Sequence, residues 1–443
     1  MKKIISDIKK TVIPSKTQEK LKIETAKIAF NLVETQSKNY PEVVSLEYGG
    51  SFAKGTWLSK NADVDIFIKF EKNVSGEKFV EISKKIGFDS MKDHNPYVRY
   101  SEHPYVEAKI KDSKINIVPC YNVELGNWKS AADRSPFHTA HMKTVLTHKM
   151  RNEVRLLKTF LQSAGIYGSE MAKQGFSGYV SEVLILNFEN FENVVKFISK
   201  IQENEVIGIT SKKFDTPIVI IDPIDSNRNL AAAISEENVG KFILRCRAFQ
   251  NHPSKKFFLP SQPKTSKSNL ENILVVKFDF RIRSPDIIWG QIKRASNSLK
   301  TQMELGGFKV LRNAAYTDEK KEAFLIYLLE SITIPEKYSK GGPDFFREKD
   351  CQSFIAKNIK KTKLMWVNSE RKIVSLEKRN DYEILNFTSN FLKTNFHMAI
   401  PKGLHKDIKK GFKIFLGTKD LPKSIKEVTN DLTSTDATFL HFN

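Results

Sequence analysis

The sequence predicts an α+β chain of several domains, and three observations carry that reading. Strand-like alternation and helix-like periodicity follow one another through the first 120 residues or so, as in a small mixed α/β unit. A chain of 443 residues is long for one core, and about two to four folding units would be usual. A stretch rich in Pro, Ser and Lys at 251–269 reads as a linker between a helical middle part and a C-terminal part of strands and helices.

Met1 to Lys10 starts with two lysines like a secretory leader, but Asp7, Lys9 and Lys10 interrupt the apolar stretch that should follow. Ser15 and Gln18 form a capping-box pattern, and Leu21, Ala26, Ala29 and Phe30 support a helix to about Ser37. A short strand at 43–48 runs into a Gly49-Gly50-Ser51 turn. Asp63 and Asp65 follow in an extended run, where they project from one face about 7 Å apart. Val64, Ile66, Ile68 and Phe70 take the other face. A helix is expected over 77–86, a strand at 105–110, a turn at 111–114, and a strand at 115–118 stopped by Pro119.

In the middle part, Val154, Leu157, Phe160 and Leu161 recur at helical spacing over 152–164, leaving Arg151, Arg155 and Lys158 on other faces. A second helix over 177–188, a buried strand at 217–222 and a helix over 235–250 follow. Beyond the linker come a strand at 273–280, a helix capped by Ser284 with Pro285 first, a strand at 308–315, and a helical or strand segment at 322–334. That order resembles the start of a ferredoxin-type α+β sandwich. The expected domains are 1–147, 148–262 and 270–443.

Lysine and arginine total 72 against 51 acidic residues, a formal charge of +21 spread throughout the chain, which favours a polyanionic partner. Cys120, Cys246 and Cys351 are too few and too scattered for a disulfide framework or a thiolate zinc site, so a reducing compartment is expected. No apolar run approaches a membrane span. The expectation is a cytoplasmic protein without a membrane partner.

Two carboxylates on one strand face, after a Gly-Ser turn, suit nucleotidyl transfer with Mg2+: the cation takes oxygen ligands and bridges substrate phosphates. An isolated Asp-x-Asp is more often a solvated strand face. Here it is joined to Gly50-Ser51 upstream and to a buried-looking apolar strand.

These features resemble the DNA polymerase β nucleotidyltransferase superfamily. GSFAKGTWL, SEHPYVEAKI, INIVPCY, AADRSPFH, NEVRLLKTFLQSAGIYGSE, GFSGYVSEVL and IDPIDSNRNLAA occur in the order and spacing of one member family, the archaeal class I CCA-adding tRNA nucleotidyltransferases. The blocks span about half of the chain. The resemblance implies a polymerase β-like nucleotidyltransferase head, a helical middle domain and an α+β C-terminal RNA-binding portion. It implies template-independent addition of C, C and A to the 3′ end of tRNA from CTP and ATP.

Carried over residue by residue, Ser51 and Lys54 fall where the family contacts the triphosphate, with Lys54 standing in for a usual arginine. Asp63 and Asp65 match the two metal-binding carboxylates. His138, Lys158 and Tyr167 match nucleotide-binding positions, although each by itself reads as structural. Arg228 matches the arginine that reads the incoming base with the tRNA backbone, while His103 reads as structural or supporting. At the third catalytic, metal-binding position the family has a carboxylate and this chain has Asn116, which offers one neutral oxygen and no charge.

Three readings of Asn116 stay open: a near-isosteric engineered replacement; a natural residue, with metal held by Asp63, Asp65 and substrate phosphates; or a chain that binds tRNA and nucleotide with little transfer. Lys357, Lys360, Lys361, Lys363, Lys406, Lys409, Lys410 and Lys413 are candidate phosphate contacts for the acceptor and T arms. A homodimer is an open alternative to a monomer. The other functional readings are a non-catalytic RNA-binding relative and another template-independent transferase such as a poly(A) polymerase.

Overall fold

The computed structural model of the chain describes residues 1–59, 63–99, 104–260, 267–417 and 421–440. It forms two compact units, one of Met1–Pro263, Ser284–Asp286 and Asp436–Asn443, the other of Lys264–Arg283 and Ile287–Thr435.

The first unit opens with α1 (Lys2–Val12), where sequence reasoning saw only a failed leader. Ile5, Ile8 and Val12, at helical spacing, enter the unit's larger core. Next comes α2 (Lys16–Ser37), entered through the expected capping box, with Ser15 accepting from the Gln18 amide and the Gln18 side chain accepting from the Ser15 amide. Ala26 and Ala29 are buried as predicted, whereas Leu21 is exposed.

A five-stranded sheet follows, built from β1 (Val43–Gly49), β2 (Val64–Phe70), β3 (Tyr97–Arg99), β4 (Tyr105–Ile110) and β5 (Ser113–Tyr121), in the order β1-β2-β5-β4-β3. Its one parallel pair is β2 with β5. Val64, Ile66, Ile68 and Phe70 pack with α2 and with α4 (Gly76–Ser90), so the carboxylate of Asp65 is left on the opposite face. Pro119 does not end β5. The ladder to β4 stops at Ile117, and Pro119 continues opposite Ile68 in the pairing with β2 alone, where one absent N–H is tolerated.

Between β1 and β2 lies α3 (Gly50–Lys54), a single helical turn. After the sheet come α5 (Arg134–Val145), α6 (His148–Ser163), α7 (Gly178–Phe188) and α8 (Phe191–Ile198). Three short strands, β6 (Glu205–Ile207), β7 (Ile218–Asp222) and β8 (Asp225–Asn229), then pair in that order before α9 (Glu236–Asn251). α6 is central where a half-solvated helix was expected: Glu153, Arg155 and Lys158 are as buried as its leucines. The expected linker also begins too early. Phe257 and Phe258 are buried in the same core, and the Phe257 carbonyl accepts from the Ser163 hydroxyl and from Arg245.

In the second unit, β9 (Ile273–Asp279), α10 (Pro285–Leu305), β10 (Val310–Thr317) and β11 (Glu322–Leu329) bear out the expected order, with 322–329 resolved as strand. An insertion of β12 (Lys337–Asp344), α11 (Glu348–Asn358), β13 (Leu364–Val367) and β14 (Lys372–Lys378) makes its own small sheet. α12 (Ile384–Thr394), α13 (His405–Lys410), β15 (Phe412–Leu416) and α14 (Lys426–Thr433) complete the unit. The main sheet runs β10-β11-β9-β15, wholly antiparallel, which is the ferredoxin-type arrangement. α10 and α12 cover one face and α14 the other.

Candidate active site

Asp63 sits at the entrance to β2 and Asp65 one pleat further on. Asp65 pairs in register with Gly49 on one side and with Asn116 on the other. Gly50 follows with φ +61°, and a Cβ there would stand 1.7 Å from Asp65 Oδ2. Glycine at 50 is therefore required twice, for its left-handed backbone and for the close approach of the carboxylate. Ser51 is the next residue, in the first turn of α3. Both carboxyls are held above their ordinary range, Asp63 by burial and then by the charge of Asp65. For Asp65, burial outweighs the stabilising bond from Asn116 and the charge of Lys54.

Asn116 Nδ2 donates to Asp65 Oδ1 at 2.8 Å, while Asn116 Oδ1 is buried with no partner. An orphaned amide oxygen beside two carboxylates short of positive charge is a set of hard oxygen donors, which fits a hard divalent cation. Asp63 and Asp65 would hold it, with the Asn116 amide oxygen as a neutral donor beside them. Among the described residues, no group of three or more His, Cys, Asp or Glu side chains is placed to hold a metal. The site thus has one neutral oxygen where a third charge would strengthen it.

Lys54 and Lys158 meet at a different carboxylate. Glu182, wholly buried on α7, has Lys54 Nζ at 2.6 Å and Lys158 Nζ at 3.5 Å, and accepts from the Thr56 hydroxyl at 2.5 Å. Lys158 also donates to the Thr56 carbonyl at 3.1 Å, and Arg155 to that of Trp57 at 2.9 Å. α6 and α7 thereby hold the loop after α3. Burial drives the Glu182 carboxyl up, but the two lysines and the hydrogen bonds outweigh it and hold the group below its ordinary range. Tyr167 borders the same niche: its hydroxyl and Lys158 both crowd the position that a Cβ on Gly178 would take.

A third buried carboxylate gathers the remaining predicted residues. Asp222 Oδ2 lies 2.9 Å from His138 Nε2 and 3.1 Å from Arg228 Nη1, and Oδ1 accepts from the Tyr179 hydroxyl at 2.9 Å. The His138 ring stacks on Tyr179, centroids 3.9 Å apart. Burial holds the His138 imidazole below its ordinary range, against the hydrogen bond and charge of Asp222.

The nine predicted site residues thus fall into a carboxylate group (Asp63, Asp65, Asn116, beside the Gly50-Ser51 turn), a lysine group (Lys54, Lys158, with Tyr167) and an arginine–histidine group (Arg228, His138). His103 lies outside the described residues. Sequence reasoning missed Thr56, Tyr179, Glu182 and Asp222. The only signal for them was their presence in GSFAKGTWL, GFSGYVSEVL and IDPIDSNRNLAA.

Residues 31–138 match the model of a nucleotidyltransferase domain, 152–259 that of the tRNA nucleotidyltransferase second domain, and 271–417 that of the CCA-adding enzyme C-terminal domain. The chain is 36% identical over 382 residues to a CCA-adding enzyme of Sulfurisphaera tokodaii, covering 85% of this chain and 88% of that protein. It is 35% identical to one of Saccharolobus islandicus, covering 77% and 82%, and 34% identical to one of Sulfolobus acidocaldarius, covering 82% and 89%. A solved structure of the Cid1 poly(U) polymerase with Mg and 3′-dATP bound is similar at TM-score 0.46 and 12% identity, covering 58% of this chain and 98% of that one. A nucleotidyltransferase domain and a CCA-adding C-terminal domain in one chain, with a relative 36% identical over 85% of it, make this protein a member of the CCA-adding enzyme family.

Proposed function

We infer that the chain adds C, C and A to the 3′ end of tRNA from CTP and ATP, with Mg2+, in the cytoplasm. The observation that carries this is the Asp63–Asp65 pair, with Asp65 packed against Gly50 of the Gly50-Ser51 turn, in a chain whose relatives are CCA-adding enzymes along most of their length. In the reaction the 3′ hydroxyl of the RNA gives up its proton to solvent and its oxygen bonds to the α-phosphorus of the nucleotide as the bond to pyrophosphate breaks. Bound Mg2+ supplies charge neutralisation on the phosphates. Asp63 and Asp65 hold the charge that attracts it, and Asn116 keeps Asp65 in place.

Ser51 offers its hydroxyl to the triphosphate. Lys54 and Lys158, both paired with Glu182, are the cations offered to the triphosphate. Tyr167 and His138 border the nucleotide, and Arg228 reads its base. No helix among the described residues is long and apolar enough to cross a membrane. The eight lysines proposed for tRNA are all exposed. A C-terminal domain of the CCA-adding type favours this reading over a poly(A) polymerase.

The test is incubation of the full chain with tRNA lacking its last three nucleotides, CTP, ATP and Mg2+. The expected product stops after three additions and disappears with a chelator; a homopolymer tail or no incorporation overturns the reading. With six or more lysines on phosphates, tRNA affinity falls about a thousandfold between about 50 and about 200 mM salt. An unchanged affinity removes them from the interface.

A further inference from the structure

Asp222, the last residue of β7, is 1% exposed and joins side chains from three other elements: His138 of α5, Tyr179 of α7 and Arg228 of β8. Its two oxygens accept from Tyr179, from the Ile224 amide at 3.2 Å and from Arg228, with His138 Nε2 at 2.9 Å from the oxygen that Arg228 also uses. Arg228 is the outermost of the group, its side chain 41% exposed. An arginine on a short surface strand would otherwise sample many rotamers, and the loss of that rotamer freedom opposes any single pose. Asp222 engages one guanidinium nitrogen of a side chain that stays partly exposed. Arg228 brings a permanent positive charge into direct contact with this carboxylate. The rest of the cluster is rigid by construction: a stacked ring pair and a carboxylate with both oxygens bonded.

We propose that Asp222 is the positioning residue for base selection, a buried carboxylate that fixes the direction of the Arg228 guanidinium and ties it to His138 and Tyr179. This rests on the reading of Arg228 as the base contact. A guanidinium held in one direction discriminates between acceptor patterns, whereas a wandering one binds many bases nearly alike. The contact acts on nucleotide choice and affinity, and only weakly on the chemical step.

The experiment measures single additions of CMP and of UMP, with kcat and KM separated, to tRNA lacking its last three nucleotides. The parent chain is compared with Asp222→Asn, Arg228→Ala and the double variant. Asp222→Asn keeps the shape and removes the charge; it is expected to cut the CTP-over-UTP preference in kcat/KM about tenfold, mostly through KM. Arg228→Ala should lose at least as much, and the double variant no more than Arg228→Ala alone, since both act through one contact. A normal preference in Asp222→Asn beside a loss in Arg228→Ala overturns the proposal and spares the nucleotide-site reading. A normal preference in Arg228→Ala overturns that reading and the proposal with it. Should Asp222→Asn melt early, Tyr179→Phe decides: a smaller loss of preference supports the proposal and none overturns it.

Discussion

Asp65 and Glu182 occupy neighbouring regions of the first unit and show two fates of a carboxylate withdrawn from water. Glu182 has two lysines, a threonine hydroxyl and no solvent exposure, and its carboxyl is held below the ordinary range despite burial. Asp65 has an amide donor from Asn116 and a second carboxylate close by, and burial drives its carboxyl up. The first centre is neutralised by its own lysines, Lys54 against Glu182 Oε2 and Lys158 against Oε1, and ties α3 to the helices behind it. The second is short of positive charge, and that shortfall is what an incoming cation relieves. A buried charge satisfied by the chain's own cations points to structure, and one left short beside an orphaned oxygen points to chemistry.

The largest expected break of this contrast comes from Asp65→Asn. Nucleotide transfer should fall about a thousandfold, on the scale of losing a preorganised electrostatic group, while the urea midpoint stays level or rises slightly because a disfavoured charge is gone. A matching collapse of stability would mean that Asp65 is structural. Glu182→Gln should do the reverse first: two buried lysines lose their counter-ion, at about 3–5 kcal/mol in urea unfolding. Gly50→Ala probes the point where the two regions meet. A methyl group 1.7 Å from Asp65 Oδ2 at a left-handed position should cost about 1–3 kcal/mol of strain and depress transfer by displacing the carboxylate.

The smallest effect is in pH. Glu182 has a folded-state pKa below its ordinary value of 4.5, so its contribution to stability is fully present above 4.5 and is lost as pH falls through the depressed value. The stability gap between the parent and Glu182→Gln should be flat above that pH and close below it. Acid unfolding of the two proteins, followed by circular dichroism, reads this directly; a gap unchanged into strong acid contradicts the assignment.

What was legible in the sequence was local. Period-two spacing placed Asp65 opposite the buried face of β2, and the capping box at Ser15 marked a real helix start. Charges at helical spacing on α6 read as a wet face because sequence spacing does not say what lies across from it. Glu182 is far along the chain from Lys54, and Asp222 is 84 residues from His138, so neither partner announced itself. Pro119 misled for a related reason, since a proline ends a strand only where its N–H is needed. The orphaned oxygen of Asn116 became visible only once β2 and β5 stood side by side.

The central claim is that Asp63 and Asp65 form the catalytic cation centre and that Asn116 leaves it one charge short. The most direct test is the initial rate of Mg2+-dependent CMP incorporation by the chain and by its Asn116→Asp variant. The account predicts a gain of about a hundredfold for the variant, the scale of restoring one preorganised charge. Equal rates would contradict it.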